Sequence, residues 1–169
     1  MTTSSASVGA EYLKAVRERF LEMKGQAERA IGQLSDNQLF WAPDPESNSI
    51  AIIIKHLSGN MLSRWTDFFT TDGEKPNRQR DEEFESPAPT RAEVMAVWKT
   101  GWDRFLTTLD QIGEADLLRT VTIRNQPHSV IQAIERQMFH YSYHVGQIVY
   151  IAKALKSADW QTLTIPRKR

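Results

Sequence analysis

Apolar residues recur at spacings of three and four through most of this chain, which is the period of helices with one buried face. Tyr12, Val16, Phe20, Met23, Ala27, Ala30 and Ile31 mark such a stripe and predict a first helix over residues 9–34. Ser35 is placed to cap a short turn, DNQLF, and residues 41–48 read as a loop that contains proline. Ser49 is a suitable N-cap for a second helix over 50–69. Its opening Ile-Ala-Ile-Ile-Ile is mostly β-branched and strand-like, but the period continues through Leu57, Met61, Leu62, Trp65 and Phe68. A third helix is expected from the capping box Thr90-Arg-Ala-Glu93 to about Gln111, with Gly113 as its C-cap. Its inner face is Val94, Val97, Trp98, Trp102, Phe105 and Leu109, a core pattern. A second capping box, Ser129-Val-Ile-Gln132, opens the last long helix, clearest over 134–155.

The connections are of two kinds. Residues 71–89 (TDGEKPNRQRDEEFESPAP) are rich in charge, Gly and Pro, and read as a long surface loop or partial lid with a solvated charge run. Residues 118–124 (LRTVTIR) are β-prone and are followed by a turn at Asn125-Gln126-Pro127, giving a short extended arm or half of a small hairpin. From Trp160 onward the chain is expected to dock back on the helices, ending in a short basic tail, IPRKR. The fold class is therefore all-α: a four-helix bundle, with a long loop after the second helix and an extended arm before the fourth.

Composition narrows the classes. The 169 residues are expected to form a single domain, with 40% hydrophobic and 25% charged residues. Twenty-one basic and 21 acidic residues cancel, which argues against a nucleic-acid binder. Neither a signal-peptide pattern nor an apolar run long enough for a bilayer is present, so a cytoplasmic protein without membrane association is expected. Cysteine is absent, which removes disulfides, thiolate zinc sites and a cysteine nucleophile. Any metal must be held by nitrogen and oxygen donors.

His140 and His144 stand four residues apart in the last helix, so both leave one face a turn apart, within reach of one ion. With Gln137 and Gln147 they form a polar line through an otherwise apolar helix, and buried polar groups need partners. Two satisfied histidines in a helix interface account for that pair equally well. His56, Asn60 and Arg64 form a second polar row, on the second helix. Because bundle helices project ligands into a shared interior, His56 is the natural third partner of His140 and His144. Three imidazoles with open positions suit Zn, Ni, Fe or Mn and leave the ion's charge free to activate water or a thiolate. Asn60, Arg64 and Gln147 are candidates for contacts to the ligand histidines or to a small-molecule substrate. His128 reads as a loop residue packing on the helix start. No HExxH, GxSxG or Walker A pattern occurs, and the residue three before His140 is Gln137, not the Glu of di-iron bundles.

Two stretches, KHLSGNMLSRWTDFFTTDGEKPNRQRDEEFE and TIRNQPHSVIQAIERQMFHYSYHVGQIVYIAK, resemble the DinB-like superfamily. They are closest to its uncharacterised bacterial branch with HLxGN…SRWTDF…DGEKP…RD and HYxYHxGQ signatures, over residues 49–153. The resemblance implies a four-helix bundle, often a homodimer, with a divalent metal held by three histidines. One comes from the second helix and two from an HxxxH in the last. These map to His56, His140 and His144. It also implies a possible low-molecular-weight thiol as second cofactor, since some relatives are thiol-dependent transferases or isomerases. It fixes no reaction for this branch. A metal-dependent enzyme, thiol-transferase-like or hydrolase-like, is the first expectation. A non-catalytic, dimeric metal-binding stress or scaffold protein is the alternative.

Overall fold

The computed structural model describes residues 7–85, 88–166 and 168. Four long helices dominate it: α1 (Val8–Ile31), α3 (Ile50–Trp65), α4 (Arg91–Asp110) and α5 (Val130–Lys156). A one-turn helix, α2 (Asp36–Leu39), follows α1. An antiparallel hairpin, β1 (Thr120–Ile123) and β2 (Gln126–Ser129), precedes α5. The fold is all-α with this one small sheet among the described residues.

Each of the four long helices begins where a side chain accepts from one of its free N–H groups. Ser7, Ser49, Thr90 and Ser129 accept from the backbone of Ala10, Ile52, Glu93 and Gln132. Both capping boxes anticipated from the sequence form, at Thr90–Glu93 and at Ser129–Gln132. The isoleucine run of α3 is helical, with Ile50, Ile53 and Ile54 buried, so the continuing period outweighs the β-branched opening.

Three boundaries differ from the sequence expectation. α1 stops at Ile31, because Gly32 closes it with a bond to the Glu28 carbonyl, although Leu34 stays buried. α3 stops at Trp65 instead of residue 69. Asp67 takes a positive φ of 49°, and its carbonyl accepts from the N–H groups of Thr70 and Thr71. Phe68 is nonetheless buried, its ring stacked on Trp65 at 4.6 Å between centroids. The apolar period thus continues through a turn that mimics the next helical step. At the end of α4, Gln111 is the cap, and Gly113 instead heads a separate single turn, Glu114–Asp116.

α3 packs along α4, and α1 along α5. The first pair is close because Gly101 sits against Ser58, where a Cβ would lie 2.8 Å from the Ser58 Cα. The Ser58 hydroxyl donates to the Val97 carbonyl at 2.9 Å across the same seam. Phe20, Trp65, Trp102, Phe105 and Tyr141 join the helices in an aromatic cluster, with Phe20 and Phe105 edge to face at 4.5 Å. Trp98, Trp102 and Phe105 are core residues, as their spacing indicated.

The hairpin turns on Arg124 and Asn125, both left-handed at φ 53° and 59°, the geometry of a two-residue turn matched to strand twist. Pro127, expected in the turn, lies in β2 paired with Thr122. The Asp72 carboxylate accepts from the backbone N–H groups of Arg124 and Asn125 at 2.9 and 2.8 Å. Gly73 N–H donates to the Thr122 carbonyl at 2.8 Å. The charged connection after α3 is thereby tied to the hairpin. At the other end, Gln33 and Gln161 exchange two hydrogen bonds of 2.9 and 2.8 Å, and Trp160 and Leu163 pack on the core, so the chain after α5 does dock back. Arg167 and Arg169 of the basic tail, and Ser86 and Pro87 of the loop, lie outside the described residues. No helix among the described residues is long and apolar enough to cross a membrane.

Candidate metal centre

The polar row of α3 and the polar line of α5 face each other. His56 comes from the first, His140 and His144 from the second, and one ring nitrogen of each lies within 4.8 Å of the other two. The ring centroids are 5.2 Å apart for His56 and His140, 5.0 Å for His56 and His144, and 4.8 Å for His140 and His144. His56 and His144 are buried; His140 is half-buried. His128 is on β2, with Nδ1 3.0 Å from the Gln126 carbonyl oxygen, and is not part of the cluster.

Two of the three rings are oriented from behind. The His56 Nδ1–H donates to the Glu83 carboxylate at 2.9 Å, and the His144 Nδ1–H donates to Gln147 Oε1 at 2.8 Å. Holding the proton on Nδ1 leaves each Nε2 as a lone pair. His56 Nε2 lies 3.2 Å from His140 Nε2. His144 Nε2 is buried without any hydrogen-bond partner among the described residues. Such an orphaned acceptor is costly, and lone pairs facing each other repel unless a proton or a cation lies between them. Two imidazoles on one tetrahedral ion with ~2.0–2.1 Å bonds stand about 3.3–3.4 Å apart, close to the His56–His140 separation. The donor set fits a divalent ion, and the three-histidine cluster could bind one.

The electrostatics favour neutral rings. Burial is the largest influence on His140, followed by its neighbours His144 and His56 and by Arg64 and Arg78; together they pull its pKa to about 3. Burial also lowers His144, to about 4, against the opposing effect of its bond to Gln147. Neutral imidazoles are the metal-binding form.

Glu83 was not distinguishable in the sequence, where the charge run reads as a solvated face. The structure corrects that reading. Glu83 is buried at 6% exposure and accepts from Arg78 Nε and Nη2, both at 2.8 Å, as well as from His56. Burial alone would raise its carboxyl; the bonds from His56 and Arg78 outweigh this and hold it below the usual carboxylate range. Arg78 also reaches Glu74 at 3.1 Å. The Phe84 ring leans on His56 at 4.6 Å. Residues 71–85 therefore cover and brace one side of the cluster, as a partial lid would. Gly59 makes this possible, since a Cβ there would overlap the Glu83 carboxylate.

The other side is open. A pocket of about 300 Å³ is lined by His56, Asn60, Arg64 and His140, with Gln137 and further arginines around them. Asn60 accepts from the Tyr141 hydroxyl at 3.3 Å, and that oxygen accepts from Trp65 Nε1 at 3.2 Å. Burial draws Arg64 down to about 10, against the attraction of Glu74. Of the residues singled out from the sequence, Asn60 and Arg64 line the pocket, and Gln147 stands behind His144, outside it. A larger cavity of about 810 Å³ lies between α3, α4 and the charged connection and includes none of the three histidines.

Residues 7–169 match the model of a family described as a protein of unknown function, DUF1572, and the chain belongs to that family. No curated protein matches it.

Proposed function

We propose that this member of the DUF1572 family is a divalent-metal protein built as a DinB-like four-helix bundle, and that it is a metal-dependent enzyme. His56, His140 and His144 would hold the ion, and the chemistry of three imidazoles suits Zn, Ni, Fe or Mn. The four long helices, the long connection after α3 and the hairpin before α5 support the bundle assignment. The observation that carries the metal reading is the partnerless, buried Nε2 of His144 beside the close Nε2 pair of His56 and His140.

When bound, the ion would supply Lewis acidity that lowers the pKa of a water or thiol at its open position. The chain's own residues do the rest. Glu83 and Gln147 fix the His56 and His144 rings and keep their lone pairs inward. Burial keeps the His140 and His144 rings unprotonated at neutral pH. The pocket beside His56 and His140 admits a small molecule to the cluster, which favours chemistry over a closed structural site. Because the chain has no cysteine, the nucleophile of a thiol-transferase-like reaction would come from a low-molecular-weight thiol; water would serve a hydrolase-like one. The test is a screen of metal-loaded protein with bacillithiol-type thiols and electrophiles, and with hydrolysable esters and amides. Turnover abolished by chelation and restored by metal supports the enzyme. Metal binding without turnover of any such pair refutes it.

The alternative is a non-catalytic stress or scaffold protein in which the ion ties α3 to α5. It draws on the placement of the ligands on two different helices. Exposed Phe139, Tyr143 and Tyr150 along α5 support a homodimer under either reading, tested by light scattering.

A further inference from the structure

The pocket beside the histidines is unusual in its charge. Arg64, Arg78, Arg80, Arg124 and Arg136 all line it, and no carboxylate does. Three of the five have carboxylate partners. Arg78 is held by Glu83 and Glu74, Arg124 by Glu74 at 3.0 Å, and Arg80 by Asp81 at 3.5 Å.

Arg64 and Arg136 remain. Arg64 is 97% buried by its 3% exposure, and its Nε and Nη1 have no hydrogen-bond partner among the described residues. Its nearest carboxylate oxygen, on Glu74, is 3.8 Å from Nη2 and is already engaged by Arg124. Gly73 packs against the Arg64 side chain, where a Cβ would lie 2.8 Å from Cδ and 3.1 Å from Nη1, so Nη1 is backed by Gly73 and the guanidinium is confined on that side. Arg136 makes no ion pair among the described residues, and it is near enough to Arg64 to lower its pKa. A buried guanidinium with orphaned N–H donors is expensive, and a second cation beside it makes it more so. An oxyanion relieves both, because two of its oxygens match the Nε/Nη2 edge of the guanidinium, where Nη2 has only the 3.8 Å contact to Glu74.

The positions relative to the histidines set the size of the ligand. Arg64 is eight residues after His56 on α3, about 12 Å along the axis; Arg136 is four residues before His140 on α5, about 6 Å. A volume of about 300 Å³ is at the small end for ligand pockets.

We infer that the substrate of this site is a small organic acid, bearing a carboxylate or a phosphate monoester, whose oxyanion is bound by Arg64 and Arg136 while its other end reaches the histidine cluster. The reacting end rests on the metal-centre reading; the anion subsite rests on the arginines alone.

The test is calorimetric titration of inorganic phosphate and of propionate into the purified metal-loaded protein, and into the same protein after chelation, in low-salt buffer. Arg64→Gln, Arg64→Lys and Arg136→Gln are measured beside an Arg17→Gln control on the far pair with Asp110. Arg136 is exposed, so its variant keeps the test valid if Arg64 variants misfold. The expected result is saturable binding of at least one anion, weakened by about tenfold or more in Arg136→Gln and in Arg64→Gln, and unchanged in Arg17→Gln. Which probe binds names the oxyanion. Binding that survives chelation and depends on the arginines upholds the subsite even in a protein that takes no metal. No binding of either anion at tens of millimolar overturns it, whether or not metal is held. So does binding that disappears with the metal and ignores the arginine variants, since that is ligation to the ion.

Discussion

Glu83→Gln is the substitution that separates a braced metal centre from a chance meeting of histidines. It preserves shape and removes one charge. In the native protein the carboxylate accepts two bonds of 2.8 Å from Arg78 and one of 2.9 Å from His56, with the Arg78 and Glu83 side chains only 5% and 8% exposed. Solvent therefore screens little of the interaction. Breaking a buried ion pair by removing one partner costs about 3–5 kcal/mol. The glutamine oxygen still accepts one bond, and Arg78 keeps Glu74 at 3.1 Å, so a loss of about 2–3 kcal/mol is expected. At about 2–4 °C per kcal/mol for a chain of this size, Tm should fall by roughly 4–12 °C. His56 also loses the acceptor that fixes its proton on Nδ1, so metal affinity should fall about 10–100-fold. Urea denaturation of metal-free protein gives the first quantity, and competition with a chromophoric chelator gives the second. Unchanged stability together with unchanged metal affinity would refute the argument, because the isosteric replacement leaves no steric effect to mask it.

Acidification should destabilise the metal-free protein between about pH 6.5 and pH 4. His140 and His144 are lowered to about 3 and 4 when folded, while an unfolded histidine titrates near 6.5, so in this window the unfolded chain binds protons that the folded chain does not. Glu83 acts in the same direction, its contribution being lost as pH falls through its depressed folded pKa. Urea titrations across this range should show the slope flattened in a His140→Ala, His144→Ala variant; an unaltered slope contradicts the assignment. Gly101→Ala should cost about 1–3 kcal/mol by urea denaturation, because its Cβ would meet the Ser58 backbone at 2.8 Å; a neutral result would mean that α3 and α4 separate without penalty.

Much of this architecture is legible in the sequence because its causes are local. Ser49, Thr90 and Ser129 start their helices through their own side chains, and the stripes Val16–Phe20 and Trp98–Trp102–Phe105 follow helical period. His140 and His144 share a face through spacing alone, and His56 joins them because α3 and α5 each carry one polar row. What was not legible depends on tertiary placement. Glu83 stands among Asp81, Glu82 and Glu85 without any periodicity to single it out. Only the need of a buried His56 for an acceptor on Nδ1, with these carboxylates in the next connection, hints at it. The sequence places the end of α3 too late because Phe68 keeps the apolar period while the backbone turns at Asp67. The arginines of the pocket come from α3, the charged connection, the hairpin turn and α5, a convergence that no sequence window contains.

The central claim is that His56, His140 and His144 hold a metal ion. Elemental analysis of tag-free protein, beside the His140→Ala, His144→Ala variant, tests it most directly. Near-stoichiometric Zn, Ni, Fe or Mn in the native protein, lost in the variant, is the predicted result. No metal in either protein, even after incubation with Zn or Ni, would contradict the account and leave the three histidines as structural residues.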